Sequence, residues 1–172
     1  MKLADVEAIL RALNDAEVRY LVVDGLAVIA HGYVRLTVDV DIVLNLQRDN
    51  VLRALQALEK IDYRPLIPVH QLDFANAELR ESWLTEKNMV VFQMMNLGRP
   101  STKLDIFVTE PFDFEREYAA AKWEKVFGIQ CPIVQLETLI SMKEKAGRGK
   151  DIGDLGELRK LLDIERDERT NR

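Results

Sequence analysis

Residues 36–46, LTVDVDIVLNL, constrain this chain more than any other stretch. Val38, Val40, Ile42 and Leu44 alternate strictly with Thr37, Asp39, Asp41 and Val43, which is the period of a β-strand whose successive side chains leave on opposite faces. Asp is a poor strand former, yet two of them sit inside this otherwise apolar run, close to a Gly-containing turn. Spaced two apart, Asp39 and Asp41 project from one face with Cα atoms roughly 6.5–7 Å apart at ~3.3 Å per residue. Two carboxylates so placed can share one Mg²⁺, which wants an octahedron of oxygens and takes one or two carboxylates plus substrate phosphate oxygens. The bland alternative is the solvent face of a half-exposed strand.

Around this strand, apolar spacing sets out elements of both kinds. Helical periods occupy residues 3–13, 51–61, 136–146 and 151–162, with a short helix over 26–31 and another over 112–123. Residues 18–23 read as a short buried strand. The runs 88–97 and 103–109 read as a hairpin joined by Gly98, Arg99, Pro100 and Ser101, and 126–134 as an extended stretch whose Pro132 favours an edge. The stretch from Pro65 to residue 85 is irregular by this reading. The expected fold class is α+β, a mixed sheet flanked by helices, in one domain over 1–164 with a frayed or solvated tail at 165–172.

Length and composition agree with one domain: 172 residues, 48% hydrophobic and 31% charged. A net charge of −5 argues against a module held on nucleic acid mainly by counterion release, and suits an enzyme handling magnesium and nucleotide. The single Cys131 excludes an internal disulfide, and with only His31 and His70 beside it there is no structural zinc set. Any metal is then a hard cation on carboxylates. Asp5 and Glu7 stand where a signal peptide would be apolar, and no apolar run approaches the ~18 residues of a membrane span, so a reducing cytoplasm is expected and no membrane partner.

Three further features carry chemistry. Asp105, in LDIFV, shares a face with Lys103 and Phe107, and joins Asp39 and Asp41 if the two strands are neighbours. Gly25 ends the first strand and opens a helix, where a backbone without Cβ lets a phosphate approach. Arg35 and Thr37 stand just ahead of the carboxylate pair, placed to contact phosphate or to pair with Asp39. GRGKD at 147–151 is not a phosphate-binding P-loop, because the upstream Gly is missing and Asp151 follows the Lys. His31 reads as a packed histidine and Cys131 as a buried small hydrophobe.

The run VVDGLAVIAHGYVRLTVDVDIVLN resembles the signature of the polymerase-β-like nucleotidyltransferase superfamily. The fuller likeness is to small bacterial proteins related to abortive-infection type nucleotidyltransferase toxins and minimal nucleotidyltransferases. In that likeness Gly25 falls on the second Gly of a Gly-Gly-x-Ala, Ala27 on its Ala, His31-Gly32 on a His-Gly, Arg35 and Thr37 on an Arg-x-Thr, and Asp39 and Asp41 on the metal pair. Asp24 stands where the family has its first Gly. The likeness resumes in LISMKEKAGRGKDIGDLGEL, which supplies Lys143, Arg148, Lys150, Asp151 and Asp154; between the blocks, residues 46–102 match in little but element order.

The resemblance implies transfer of an NMP from an NTP to a hydroxyl. Asp39, Asp41 and Asp105 would hold Mg²⁺ or Mn²⁺, with Asp105 as third ligand or base, and Gly25, Arg35, Thr37 and Lys143 would hold the nucleotide. It also implies a tRNA end or a toxin or antitoxin protein as partner, in a toxin–antitoxin or phage-defence setting. Two rivals stay open: an inert nucleotide- or partner-binding module of this fold, favoured by Asp24, and a metal-dependent nuclease. Lys103-x-Asp105 has the reverse of the residue order such nucleases use.

Overall fold

The computed structural model describes residues 1–98 and 101–170 and contains seven strands. They are β1 (Tyr20–Val23), β2 (Asp39–Leu44), β3 (Tyr63–Pro65), β4 (Val91–Asn96), β5 (Lys103–Phe107), β6 (Lys122–Val126) and β7 (Ile129–Ile133). The helices are α1 (Leu3–Asp15), α2 (Asp24–Ala30), α3 (Arg48–Lys60), α4 (Ala77–Lys87), α5 (Phe114–Ala119), α6 (Leu136–Ala146) and α7 (Gly149–Thr170), with a 3-10 turn at Gln71–Ala75. All strands join one mixed sheet in the order β3-β4-β5-β2-β1-β7-β6. β2 is therefore central, antiparallel to β1 and parallel to β5.

The core explains this order. Residues 40–44 of β2 are all buried, as are all four residues of β1, so both faces of the sheet's centre are covered. α1 buries Val6, Ile9, Leu10 and Leu13 and packs against α3 and β7, while α2 packs against β1, β2 and α6. Among the described residues no helix is long and apolar enough to cross a membrane.

The structure shortens or redraws several expected elements. β2 starts at Asp39, leaving Leu36 and Val38 93% and 70% exposed instead of core-facing. The reason is the register: β1 ends with Val23 opposite Asp41, and β5 starts with Lys103 opposite Asp39. The stretch 126–134 is the second half of a hairpin, turned by Phe127 and Gly128 at φ +48° and +85°, the conformation of a two-residue turn. Its strand β7 is interior, not an edge. Pro132 is tolerated because β1 meets β7 through Ile133 and Val134, past the missing N–H. The helix expected over 112–123 ends at Ala119, and Trp123 lies on β6.

The stretch after Pro65 is irregular only as far as His70, after which come the 3-10 turn and α4. Asn76 caps α4 by accepting from the backbone N–H groups of Glu78 and Leu79, and Trp83 anchors it by stacking on Phe92 with ring centroids 5.7 Å apart. α7 runs through the expected tail to Thr170, since Glu and Arg are good helix formers even without an apolar anchor. Arg99 and Pro100 of the hairpin turn, and residues 171–172, lie outside the described residues.

Candidate active site

Register brings the first carboxylates together. Asp41 on β2 lies directly opposite Asp105 on the parallel neighbour β5, and Asp39 precedes Asp41 by one pleat on the same face. Asp41 and Asp105 are buried and line one cleft of about 510 Å³, the size of a small-molecule pocket. Asp39 is half-buried and is not among that cleft's lining residues; the Thr37 hydroxyl donates to its backbone oxygen and its Oδ1, both at 3.4 Å.

Gln93 holds Asp105. It sits opposite Asp105 on β4, and its Nε2 donates to both carboxylate oxygens at 3.2 and 3.3 Å. Sequence reasoning passes over this residue, although a Gln amid Val91, Phe92, Met94 and Met95 is the kind of polar interruption that marked Asp39 and Asp41. Phe107, Val90 and Met142 give the cleft an apolar wall.

On its other side the cleft is lined by Asp24, Lys143 and Arg148. Lys143 on α6 is 2% exposed, and its ammonium lies 2.7 Å from Asp24, 3.1 Å from Asp151 and 2.7 Å from Asp154. Arg148 reaches the second oxygen of Asp24 at 2.6 Å and Asp151 at 2.8 Å. Arg35 pairs with Asp154 at 2.9 Å and with Asp24 at 3.4 Å, so it does not pair with Asp39. The Lys150 side chain lies outside the described residues. Asp24, Asp151 and Asp154 have oxygens within 4.8 Å of one another, a spacing that suits a cation, and the Lys143 ammonium already touches all three.

These contacts set the charges. Burial alone would raise Asp24, but Lys143 and Arg148 outweigh it and hold its carboxyl down at about 2. Burial likewise works against a charged Lys143, and the Asp154, Asp24 and Asp151 carboxylates reverse it, leaving Lys143 above its ordinary value. Asp24 therefore contributes stability that is fully present above its unfolded value of about 3.8 and is lost as pH falls through about 2. The contribution is about 2 kcal/mol. Thermal melts at pH 5 and pH 3 should show a larger loss for the wild type than for Asp24→Asn.

Gly25 serves a close approach. A Cβ there would lie 2.2 Å from the Thr37 hydroxyl and 2.8 Å from Thr37 Cβ, so the missing side chain lets the segment carrying Arg35 and Thr37 lie against α2. Gly25→Ala should destabilise by roughly 1–3 kcal/mol, read as a lower urea midpoint at unchanged slope. Asp24 itself sits at φ +47°, a left-handed conformation that Gly adopts freely and Asp tolerates. His31 accepts its packed role: its Nε2 lies 2.8 Å from the Val134 carbonyl, and burial lowers its pKa. Burial pushes the Cys131 thiol up to about 12, which makes it inert.

No protein-family model and no curated protein matches this sequence. Solved structures do. The antibiotic-resistance factor ANT(2″)-Ia, crystallised with adenylyl-2″-tobramycin, aligns over 96% of this chain and 92% of its own, with a TM-score of 0.61 at 15% identity. Its solution structure aligns over 98% and 93% with a TM-score of 0.53 at 15% identity. A protein from Thermotoga maritima with a provisional nucleotidyltransferase name aligns over 94% and 92%, with a TM-score of 0.56 and 15% identity. Over nearly its whole length, then, the chain has the α+β fold of the nucleotidyltransferases, the fold that the Gly25 to Asp41 segment resembles.

Proposed function

We propose that the chain is a Mg²⁺-dependent nucleotidyltransferase that moves an NMP group from an NTP to a hydroxyl of RNA, with a tRNA end foremost, or of a protein, in a toxin–antitoxin or phage-defence setting. The observation that carries this reading is the in-register pair Asp41 and Asp105 in a cleft of about 510 Å³. The donor set is all hard oxygen, without Cys or His, which suits Mg²⁺ or Mn²⁺. Asp41 and Asp105 would hold the ion and Asp39 would complete the set. When bound, the ion neutralises phosphate charge and orients the reacting oxygens. The acceptor oxygen forms its bond to the α-phosphorus as the bond to pyrophosphate breaks, and the acceptor proton passes to the Asp105 carboxylate, which Gln93 keeps in place. Lys143, Arg148, Arg35 and Thr37 border the phosphates, and Gly25 lets that border close.

A second reading, an inert nucleotide- or partner-binding module, is favoured by one observation. Lys143 and Arg148 are both already held by Asp24. Each labelled NTP should be incubated with Mg²⁺ and, in turn, bulk tRNA, a neighbouring gene product and tobramycin, the acceptor seen adenylated in ANT(2″)-Ia. The expected result is one labelled acceptor with pyrophosphate released. Retention of NTP without transfer favours the inert module, and neither retention nor transfer removes both readings.

A further inference from the structure

The Asp24 carboxylate spreads its two oxygens over three cations as a phosphate would. Oδ1 meets Lys143 at 2.7 Å and Arg35 at 3.4 Å, and Oδ2 meets Arg148 at 2.6 Å. With Asp151 and Asp154 it balances Lys143, Arg148 and Arg35 charge for charge, so among the described residues of this cleft lining Lys145 is the cation outside the balanced cluster. The same cleft is lined by Asp41 and Asp105, which puts Lys143 and Arg148 beside the place where a polyphosphate must lie in the proposed reading.

We infer that Asp24 is an internal competitor for the substrate phosphates, occupying the Lys143 and Arg148 pair and thereby setting how tightly the cleft holds a polyphosphate. This rests on the proposed reading of the cleft as a nucleoside triphosphate site. The backbone does not ask for Asp here: at φ +47° glycine would be the unstrained choice. The carboxylate stands there in spite of that conformation. The two cations also differ in freedom. Lys143 is 2% exposed and remains fixed by Asp151 and Asp154, whereas the Arg148 side chain is 46% exposed and belongs to the segment joining α6 to α7. Arg148 is the cation a phosphate can take from Asp24, while Asp151 continues to balance it. The consequence is a site that accepts only a ligand anionic enough to displace a charge-assisted hydrogen bond, which disfavours a nucleoside or a monoester against a triphosphate.

The test separates this inference from the metal chemistry by leaving the metal out. Inorganic tripolyphosphate and each NTP are titrated calorimetrically, in EDTA, into wild type, Asp24→Asn and Asp24→Gly. Asn and Gly both accept the left-handed backbone, and Lys143 keeps two carboxylates in either variant, so both should fold, as melts will show. Tripolyphosphate should bind both variants about tenfold more tightly than wild type, and Arg148→Gln should remove most of that gain in the Asp24→Asn background. Affinity that is unchanged or weaker in both Asp24 variants overturns the inference, as does a gain that survives Arg148→Gln. If no form binds polyphosphate while the wild type still transfers NMP with Mg²⁺, the inference falls and the proposed function stands. If binding and transfer are both absent throughout, both fall.

Discussion

Asp41→Asn combined with Asp105→Asn should lower NMP transfer by a factor on the order of 10³–10⁴ or more, while leaving the protein folded. The loss follows from position. These two carboxylates lie in register on neighbouring parallel strands and line the cleft, so they are the hard-oxygen donors best placed to hold a divalent ion; in the proposed chemistry Asp105 also receives the acceptor proton. A factor of 10³–10⁴ corresponds to about 4–5.5 kcal/mol of transition-state stabilisation, the scale expected when metal binding and proton transfer fail together. The stability expectation has a separate cause. Asn keeps the shape of Asp and leaves an acceptor for Gln93, so the strand packing around both positions is retained. Transfer within tenfold of the wild type would show that these residues do not hold the ion, and the proposed chemistry would fail. Single-turnover assays with the labelled NTP, beside thermal melts of each variant, give both readings.

Lys143→Met should lower stability by about 3–5 kcal/mol, the usual cost of breaking a buried ion pair from one side. The ammonium is 2% exposed and contacts Asp24, Asp151 and Asp154, two of which are themselves less than 5% exposed in their side chains. Without it, three buried carboxylates share only Arg35 and Arg148, so either they take up protons or the α6 and α7 contact opens. At roughly 2–4 °C per kcal/mol for a domain of this size, the melting temperature should fall by about 10 °C. Adding Asp24→Asn to Lys143→Met should restore part of the loss, because it removes one of the carboxylates left without an ammonium. A melting temperature within 2 °C of wild type would mean that the arginines alone neutralise the cluster. The same variant should also weaken NTP binding, which the melt alone cannot show.

The elements legible in the sequence are those whose information is periodic. α1, α3 and α6 bury regular apolar stripes, and β2 alternates, so their types and approximate spans could be read directly. α4 could not be read this way, because its burial is concentrated in Arg80 and Trp83 and it has no continuous stripe. Its end signals were nonetheless present in Asn76 and in Asn88, which closes the helix at φ +51°. The β6 and β7 hairpin was hidden by Phe127, whose left-handed conformation is uncommon for an aromatic residue and gave no turn signal before Gly128. Pro132 misdirected the reading toward an edge, since a proline only excludes a strand where its N–H would be needed.

For the site, the chain by itself determined which chemistry was on offer. Alternation alone put Asp39 and Asp41 on one face and Asp105 on a face with Phe107, because a strand's period is a local property of the backbone. Which charges meet was decided only in three dimensions. Asp24 and Lys143 are 119 residues apart and Asp24 and Arg148 are 124 apart, and no local rule connects them. Gln93 found Asp105 through strand register, which depends on the whole sheet. Asp24 shows the division most clearly. The family resemblance marks it as a carboxylate in a glycine's place; its partners, and so its charge, come from α6 and the segment that follows it folding back over the first strand-to-helix turn.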